Sequence, residues 1–129
     1  MTGENASGPL RIIYCGGRDY DDQWTVRTYV DAFRLGAIVV VHGGARGADA
    51  LVAEAAGAKG HPIEVFHADW DTHGKAAGPI RNQQMLDAGA DFVIAFPGGR
   101  GTADMVRRAR EAGVPVIETD RDRETIDDG

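Results

Sequence analysis

The run Pro97-Gly98-Gly99-Arg100-Gly101-Thr102 combines residue types that favour anion binding. It lies between an apolar segment typical of a buried strand and the predicted start of a helix, which Thr102 can cap. Amide N–H groups and the positive end of the helix dipole attract an anion at such a turn, and glycine permits close backbone approach. The run predicts a phosphate-binding loop, with a tight, capped turn as the alternative.

Two further glycine-rich loops follow apolar segments. His42-Gly43-Gly44-Ala45-Arg46-Gly47-Ala48-Asp49 also opens a predicted helix and is interpreted as a second anion nest, while Gly16-Gly17-Arg18-Asp19 follows the first segment. Arg18 could hold a phosphate and Asp19 a ribose hydroxyl, or the two could form ordinary surface ion pairs. Neither G-x-x-x-x-G-K-[ST] nor G-x-G-x-x-G occurs, which argues against a magnesium-dependent triphosphatase and an ordinary dehydrogenase.

The segment Ala68–Gly78 is long for a connection in a small domain and is predicted to form a lid. Trp70 could stack on a base or anchor the core, and Lys75 could reach a phosphate. Pro79 suits the first position of a helix, and Arg81, in the first turn of that helix, could point into a ligand crevice.

Other chemically active residues carry weaker signals. Asp69, Asp71 and His73 have a spacing that a metal could use, but no further ligands cluster near them, so capping and solvation are expected and no metal is predicted. Cys15 is expected to be a buried, inert thiol at a strand end. Ordinary hydrogen bonding is expected for the other histidines, His42, His61 and His67.

Five apolar segments alternate with four helical patterns and position these loops. The predicted strands cover 10–14, 37–41, 62–66, 92–96 and 114–117. The predicted helices are one containing Val26 and Phe33, capped by Asp21 or Asp22 and stopped by Gly36; one at 48–59; one at 79–87; and one capped by Thr102. This alternation predicts an α/β, three-layer, Rossmann-like domain with a mainly parallel five-stranded sheet, helices on both faces and ligands at the carboxyl edge.

Length and composition restrict the function further. A chain of 129 residues with a net charge of −6 accommodates one domain, predicted at 10–120 between polar tails at 1–9 and 121–129. Because acidic residues outnumber basic ones, we do not expect a nucleic acid partner. The lone cysteine and the absence of a secretory or membrane-spanning pattern lead us to expect a soluble, cytoplasmic protein without a membrane partner. Trp24 and Tyr29 could pair subunits or belong to the core, which leaves a homodimer as a possible assembly.

In order and spacing, these motifs resemble the SLOG superfamily, named for Smf/DprA and LOG proteins, and above all its small YspA-like, cpYpsA-related branch. The resemblance extends from about Ile12 to Val116. Matching stretches are the three glycine-rich loops, Ala68-Asp69-Trp70 and Ala77-Gly78-Pro79-Ile80-Arg81-Asn82. The resemblance implies a Rossmann-like fold and nucleotide-derived ligands, often in dimers, without implying one reaction.

The LOG enzymes of that superfamily cleave a nucleoside monophosphate to free base and ribose phosphate. The resemblance implies that Arg81 matches their arginine and that Met105 replaces their glutamate. Methionine cannot stabilise an oxocarbenium-like centre or activate water. Asp69, Asp49 or Glu118 could supply a carboxylate instead, and the residues do not choose among them, so no catalytic residue is assigned.

The resulting hypothesis is a binding module for a nucleotide-derived small molecule, acting as a sensor or sequestering protein without a further cofactor. A LOG-type N-glycosidase and a DprA-like binder of single-stranded DNA are the alternatives. The candidate ligand-binding residues are Gly16, Gly17, Arg18, Gly43, Gly44, Arg46, Gly47, Asp49, Asp69, Trp70, Arg81, Asn82, Pro97, Gly98, Gly99, Arg100, Gly101 and Thr102.

Overall fold

The structure is a computed structural model that describes residues 8–119. Its five strands form one parallel sheet in the order β3-β2-β1-β4-β5. The strands are β1 (Leu10–Cys15), β2 (Ile38–His42), β3 (Ile63–Val65), β4 (Phe92–Ala95) and β5 (Val116–Glu118). The Rossmann-like α/β prediction is therefore confirmed. The predicted tail 121–129, and residues 1–7 of the other predicted tail, lie outside the described residues.

Five helices connect the strands. They are α1 (Gln23–Asp31), α2 (Ala48–Lys59), α3 (Trp70–His73), α4 (Ala77–Asp87) and α5 (Arg100–Glu111), with a 3₁₀ turn at Gly74–Ala76 between α3 and α4. None of the helices in residues 8–119 has the length and apolar character needed to cross a membrane.

Alternating strand side chains create two hydrophobic cores. On one face of the sheet, Ile12 and Tyr14 pack with Val26 of α1 and Val52 of α2. On the other face, the intervening residue Ile13 packs with Met85 and Leu86 of α4 and with Met105 and Ala109 of α5. Successive residues of a strand point to opposite faces, so β1 is buried on both sides and its carboxyl end is held by both helical layers.

The strand order places β1 at the centre of the sheet. From β1 the chain runs outward through β2 and β3 on one side and through β4 and β5 on the other. The loops after β1 and β4 therefore diverge at the carboxyl edge and leave a crevice between them, which is where open α/β sheets bind ligands.

Several helix boundaries differ from those predicted. Asp22 caps α1, as expected, by accepting the amide of Thr25, but α1 ends at Asp31, before Gly36. The cap of α5 is Gly99, because that helix begins at Arg100 and leaves Thr102 inside its first turn. The third predicted helix, α4, starts at Ala77, two residues before Pro79, so Arg81 lies in its second turn.

Candidate functional site

A cavity of about 580 Å³ opens at the carboxyl edge of the sheet, where the strand order reverses. It is bounded by the loop after β1, the start of α2, the segment Trp70–Arg81 and the N-terminus of α5. Twelve of the predicted site residues line it: Gly16, Gly17, Arg18, Gly43, Asp49, Trp70, Arg81, Asn82, Gly99, Arg100, Gly101 and Thr102. Three loops that are distant in sequence therefore converge on one concave surface.

The loop after β1 joins the two neighbouring loops through its backbone. The amide of Gly17 donates to Pro97 O at 2.9 Å, and Gly17 O accepts from the amide of Ala48 at 3.0 Å. A Cβ at Gly16 would lie 2.6 Å from the Cβ of Ala48 and 2.9 Å from that of Phe96. Glycine at position 16 therefore lets α2 and β4 approach β1 closely enough to form the cavity.

The N-terminus of α5 presents unused amides to the cavity. Gly99 caps this helix without a side-chain hydrogen bond, and within residues 8–119 the N–H groups of Gly99, Arg100, Gly101 and Thr102 donate no hydrogen bond. The first N–H groups of a helix have no partner inside the helix, and its dipole makes this end positive. This loop has the geometry expected of an anion site. None of its residues has a positive φ.

The loop after β2 differs from the predicted anion nest, because three of its amides already donate hydrogen bonds within the protein. The amide of Gly44 donates to His42 Nδ1 at 3.0 Å, and that of Ala45 donates to Asp49 Oδ2 at 3.1 Å. The amide of Ala48 is taken by Gly17 O. Asp49 is only 6% exposed, and burial raises the pKa of its carboxyl group above the ordinary value. The loop shapes the cavity wall, and its amides at Gly44, Ala45 and Ala48 are not open to an anion.

Arg81 places a half-buried guanidinium in the cavity. Its Nη1 donates to Gly43 O at 2.6 Å and to Phe66 O at 3.3 Å, and its Nε donates to Asn82 Oδ1 at 3.2 Å. No carboxylate of residues 8–119 forms an ion pair with it, and burial lowers its pKa. A Cβ at Gly43 would contact this guanidinium and require it to move.

Arg18 and Trp70 form one rim of the cavity. The guanidinium carbon of Arg18 lies 5.2 Å from the centroid of the Trp70 ring, a cation–π distance. Trp70 is 47% exposed, so it does not anchor the core. The predicted lid loop consists of α3 and the 3₁₀ turn, which carries Lys75 on the cavity wall.

Asn82 and Asp104 form a polar pair that the sequence reasoning missed. Asn82, 5% exposed, donates from Nδ2 to Asp104 Oδ2 at 3.0 Å and to Gly101 O at 3.2 Å, tying α4 to α5. Burial raises the pKa of Asp104, but hydrogen bonds from Asn82 and Arg108 outweigh that effect and keep the pKa below its ordinary value. The position of Asp104, two residues after Thr102, was the available signal.

Three residues outside the glycine-rich loops also line the cavity, Tyr14, Cys15 and Met85. Burial raises the pKa of the Cys15 thiol to about 12, so the thiol is protonated and inert at neutral pH, as expected. Met105, at the position where the resemblance places a glutamate, is 0% exposed and packs in the core with Ile13.

The remaining predicted residues lie elsewhere. Gly44 and Arg46 line a second cavity of about 380 Å³ together with His67, which the sequence reasoning did not select as a ligand contact. Four line neither cavity: Gly47, Asp69, Pro97 and Gly98. Asp69 caps α3 by accepting the amide of Thr72. Across residues 8–119, no three His, Cys, Asp or Glu side chains gather as a metal site.

Trp24 and Tyr29 differ in their surroundings. Trp24 is 71% exposed beside Arg27, whereas Tyr29 packs against the core and its carbonyl accepts from the hydroxyl of Tyr14. His61 contacts Val30 O through Nε2 at 3.2 Å, the ordinary hydrogen bonding expected of it.

Comparison with known proteins finds a similar sequence, a similar structure and a matching family profile. It is 43% identical over 117 residues to the Gene 61 protein of Mycobacterium phage D29, an alignment that covers 83% of this chain and 94% of that one. The X-ray structure of TM1055, a structural genomics target, superimposes with a TM-score of 0.64 at 20% identity over 83% of this chain and 72% of that chain, a likeness of fold. The sequence profile of the YspA, cpYpsA-related SLOG family matches residues 10–73. The chain therefore belongs to the YspA, cpYpsA-related SLOG family.

Proposed function

We propose that this protein binds a nucleotide or a nucleotide-derived ligand in the larger cavity, as a sensor or sequestering module. Family membership suggests a nucleotide-related ligand. The observation that carries the proposal is Arg81, a half-buried guanidinium without a carboxylate partner in residues 8–119, on the cavity that also receives the free amides of α5. A phosphate there would accept hydrogen bonds from both sides.

The charges around the cavity support an anionic ligand although the whole chain is acidic. Four cationic residues line the cavity and form no ion pair within residues 8–119: Arg18, Lys75, Arg81 and Arg100. Of the three lining carboxylates, Asp49 accepts from a loop amide and Asp104 pairs with Arg107 and Arg108. The third, Asp19, is exposed and makes only a weak contact with Arg46 at 3.4 Å. The site therefore presents local positive charge, which concentrates anions at it.

The rest of the nucleotide would lie against the opposite wall. Gly16 and Gly17 keep side chains out of that wall, and the exposed ring of Trp70 offers a stacking surface for a base. Arg18, stacked on Trp70, would contact the phosphate or the sugar. Because backbone amides recognise phosphate without reading the base, the phosphate end accounts for affinity and the Trp70 end for selectivity.

Titration calorimetry with adenine, guanine, uracil and cytosine nucleoside monophosphates and their cyclic forms tests the proposal. We expect at least one to bind, and Arg81→Gln to weaken that binding by roughly 10- to 100-fold, because a charged hydrogen bond contributes about 1.5–3 kcal/mol. Arg34→Gln, at an exposed position outside both cavities, is the matched control and should bind like the original chain. Circular dichroism of Arg81→Gln checks that the fold is intact. Failure of every nucleotide to bind rejects the proposal.

A LOG-type N-glycosidase is the second candidate, and Asp49 is the observation that favours it. Of the three carboxylates considered from the sequence, Asp69 caps α3, Glu118 pairs with Arg110, and Asp49 lines the cavity. Burial raises the pKa of Asp49, as a general acid for a departing base requires. Chromatography of incubated nucleoside monophosphates tests this candidate: free base should appear with the original chain and be lost in Asp49→Asn, and no release above the blank rejects turnover.

A further inference from the structure

The second cavity adjoins the nucleotide site and continues from it. Five residues line both cavities, namely Arg18, Gly43, Ala45, Trp70 and Arg81. The cation–π pair of Arg18 and Trp70 therefore lies at the junction, with Arg81 beside it. A ligand bound at the junction has room on two sides, about 580 Å³ on one and about 380 Å³ on the other.

The two cavities differ in charge. The residues that line the smaller cavity include Arg18, Arg46, Arg81 and His67, and none of its lining residues is Asp or Glu. In the larger cavity, three carboxylates accompany the cations. Arg46 reaches Asp19 at 3.4 Å, but both side chains are exposed, so that ion pair contributes little and Arg46 can turn towards a ligand. The smaller cavity suits an anionic or hydroxyl-rich group.

We infer that the ligand is a nucleoside diphosphate that carries a second group, such as a sugar, on its terminal phosphate. The two phosphates lie at the junction beside Arg18 and Arg81, the nucleoside occupies the larger cavity, and the second group occupies the smaller cavity against Arg46 and His67. This inference rests on the proposed function and specifies its ligand class. Because both ends belong to one molecule, the second contact is intramolecular and adds affinity beyond that of the nucleoside monophosphate.

Calorimetry with three matched series tests the inference: AMP, ADP and ADP-ribose; GMP, GDP and GDP-mannose; UMP, UDP and UDP-glucose. In at least one series, the sugar diphosphate should bind tenfold or more tighter than its monophosphate and tighter than its diphosphate. The double variant Arg46→Ala/His67→Ala should reduce that ratio to about one, whereas Arg34→Ala, outside both cavities, should keep it. Both positions of the double variant are exposed, so the fold should persist.

The outcomes separate this inference from the proposed function. If monophosphates bind and no sugar diphosphate binds more tightly, the inference is wrong and the proposed function stands. The inference is equally wrong if the ratio survives in the double variant, because the second group then lies outside the smaller cavity. If no nucleotide of any series binds, both proposals fail.

Discussion

The loops before α2 and α5 look alike in sequence and differ in their hydrogen bonding. Each is rich in glycine, follows a buried strand and opens a helix capped by a glycine, Gly47 in one and Gly99 in the other. In the loop before α2, the amides of Gly44, Ala45 and Ala48 are already bonded. In the loop before α5, the amide of Arg100, which is the position equivalent to Ala48, has no acceptor within residues 8–119. The second and third helical amides have no acceptor in either helix within those residues.

The second residue of each helix accounts for one of these bonds, the one that the amide of Ala45 donates. That position holds Asp49 in α2 and Gly101 in α5. The Asp49 carboxylate reaches back to the amide of Ala45 and supplies an internal anion, whereas Gly101 has no side chain to do so. In this chain, the acid in the first turn of α2 therefore occupies an amide of its own loop, whereas α5 has no acid at the equivalent position.

The largest expected effect is a loss of stability when Gly47, in the loop before α2, is replaced. Gly47 has a φ of +76°, and a Cβ there would collide with the backbone of Gly17 and Arg18. Gly47→Ala should therefore lower the free energy of unfolding by about 3 kcal/mol, measured by urea denaturation. Gly57→Ala is the control, because Gly57 lies within α2 with open space around it and should tolerate a methyl group. Equal losses of stability in the two variants would contradict the close packing of the loop before α2.

Gly101→Asp tests the comparison directly by giving α5 the acid that α2 has. Residue 97 is proline and has no N–H, so the new carboxylate cannot repeat the bond that Asp49 accepts from Ala45. Its negative charge at the N-terminus of α5 should still repel a phosphate, so nucleotide affinity should fall about 100-fold, or roughly 2.7 kcal/mol. The stability of the fold should not fall, because a negative charge in the first helical turn is favourable. Calorimetry and urea denaturation measure the two effects, and undiminished affinity would place the phosphate elsewhere.

Asp49→Asn should lower the free energy of unfolding by about 1–2 kcal/mol, because asparagine has one acceptor oxygen in place of two and the amides of Ala45 and Gly43 both donate to the Asp49 carboxyl group. Burial raises the folded-state pKa of Asp49 above its ordinary 3.8, so the folded chain retains this proton to higher pH than the unfolded chain. The stability linked to that proton is complete below about pH 4 and is lost as the pH rises through the folded-state pKa. The advantage of the original chain over the variant should therefore shrink as pH rises, and a pH-independent difference would contradict the raised pKa.

The sequence predicts the strands and the location of this site better than it predicts the hydrogen bonds and side-chain contacts within it. Short apolar runs predict all five strands, and continuous apolar residues suit the buried strands β2 and β4. The edge strands β3 and β5 are shorter and partly exposed, and each contains a glutamate. The carboxyl-edge location follows from the alternation of strands with helices. The bond from Ala45 to Asp49, the pairing of Asn82 with Asp104 and the contact of His67 with the second cavity all depend on tertiary packing. The local sequence does not show which backbone amide will donate a hydrogen bond to a side chain that folds back or lies far away in the sequence.

Gly101→Ala has the smallest expected effect. It distinguishes the effect of the negative charge in Gly101→Asp from the effect of adding a side chain at this position. A Cβ at Gly101 meets no atom within 4 Å, and the residue lies inside α5 without a positive φ. Alanine should therefore raise the free energy of unfolding by about 0.5–1 kcal/mol, since it loses less backbone entropy than glycine on folding. The amide remains available, so nucleotide affinity should change by less than about threefold, well below the loss in Gly101→Asp. If calorimetry finds equal losses in the two variants, the space a side chain occupies excludes the ligand, and the contrast between α2 and α5 is steric, not electrostatic.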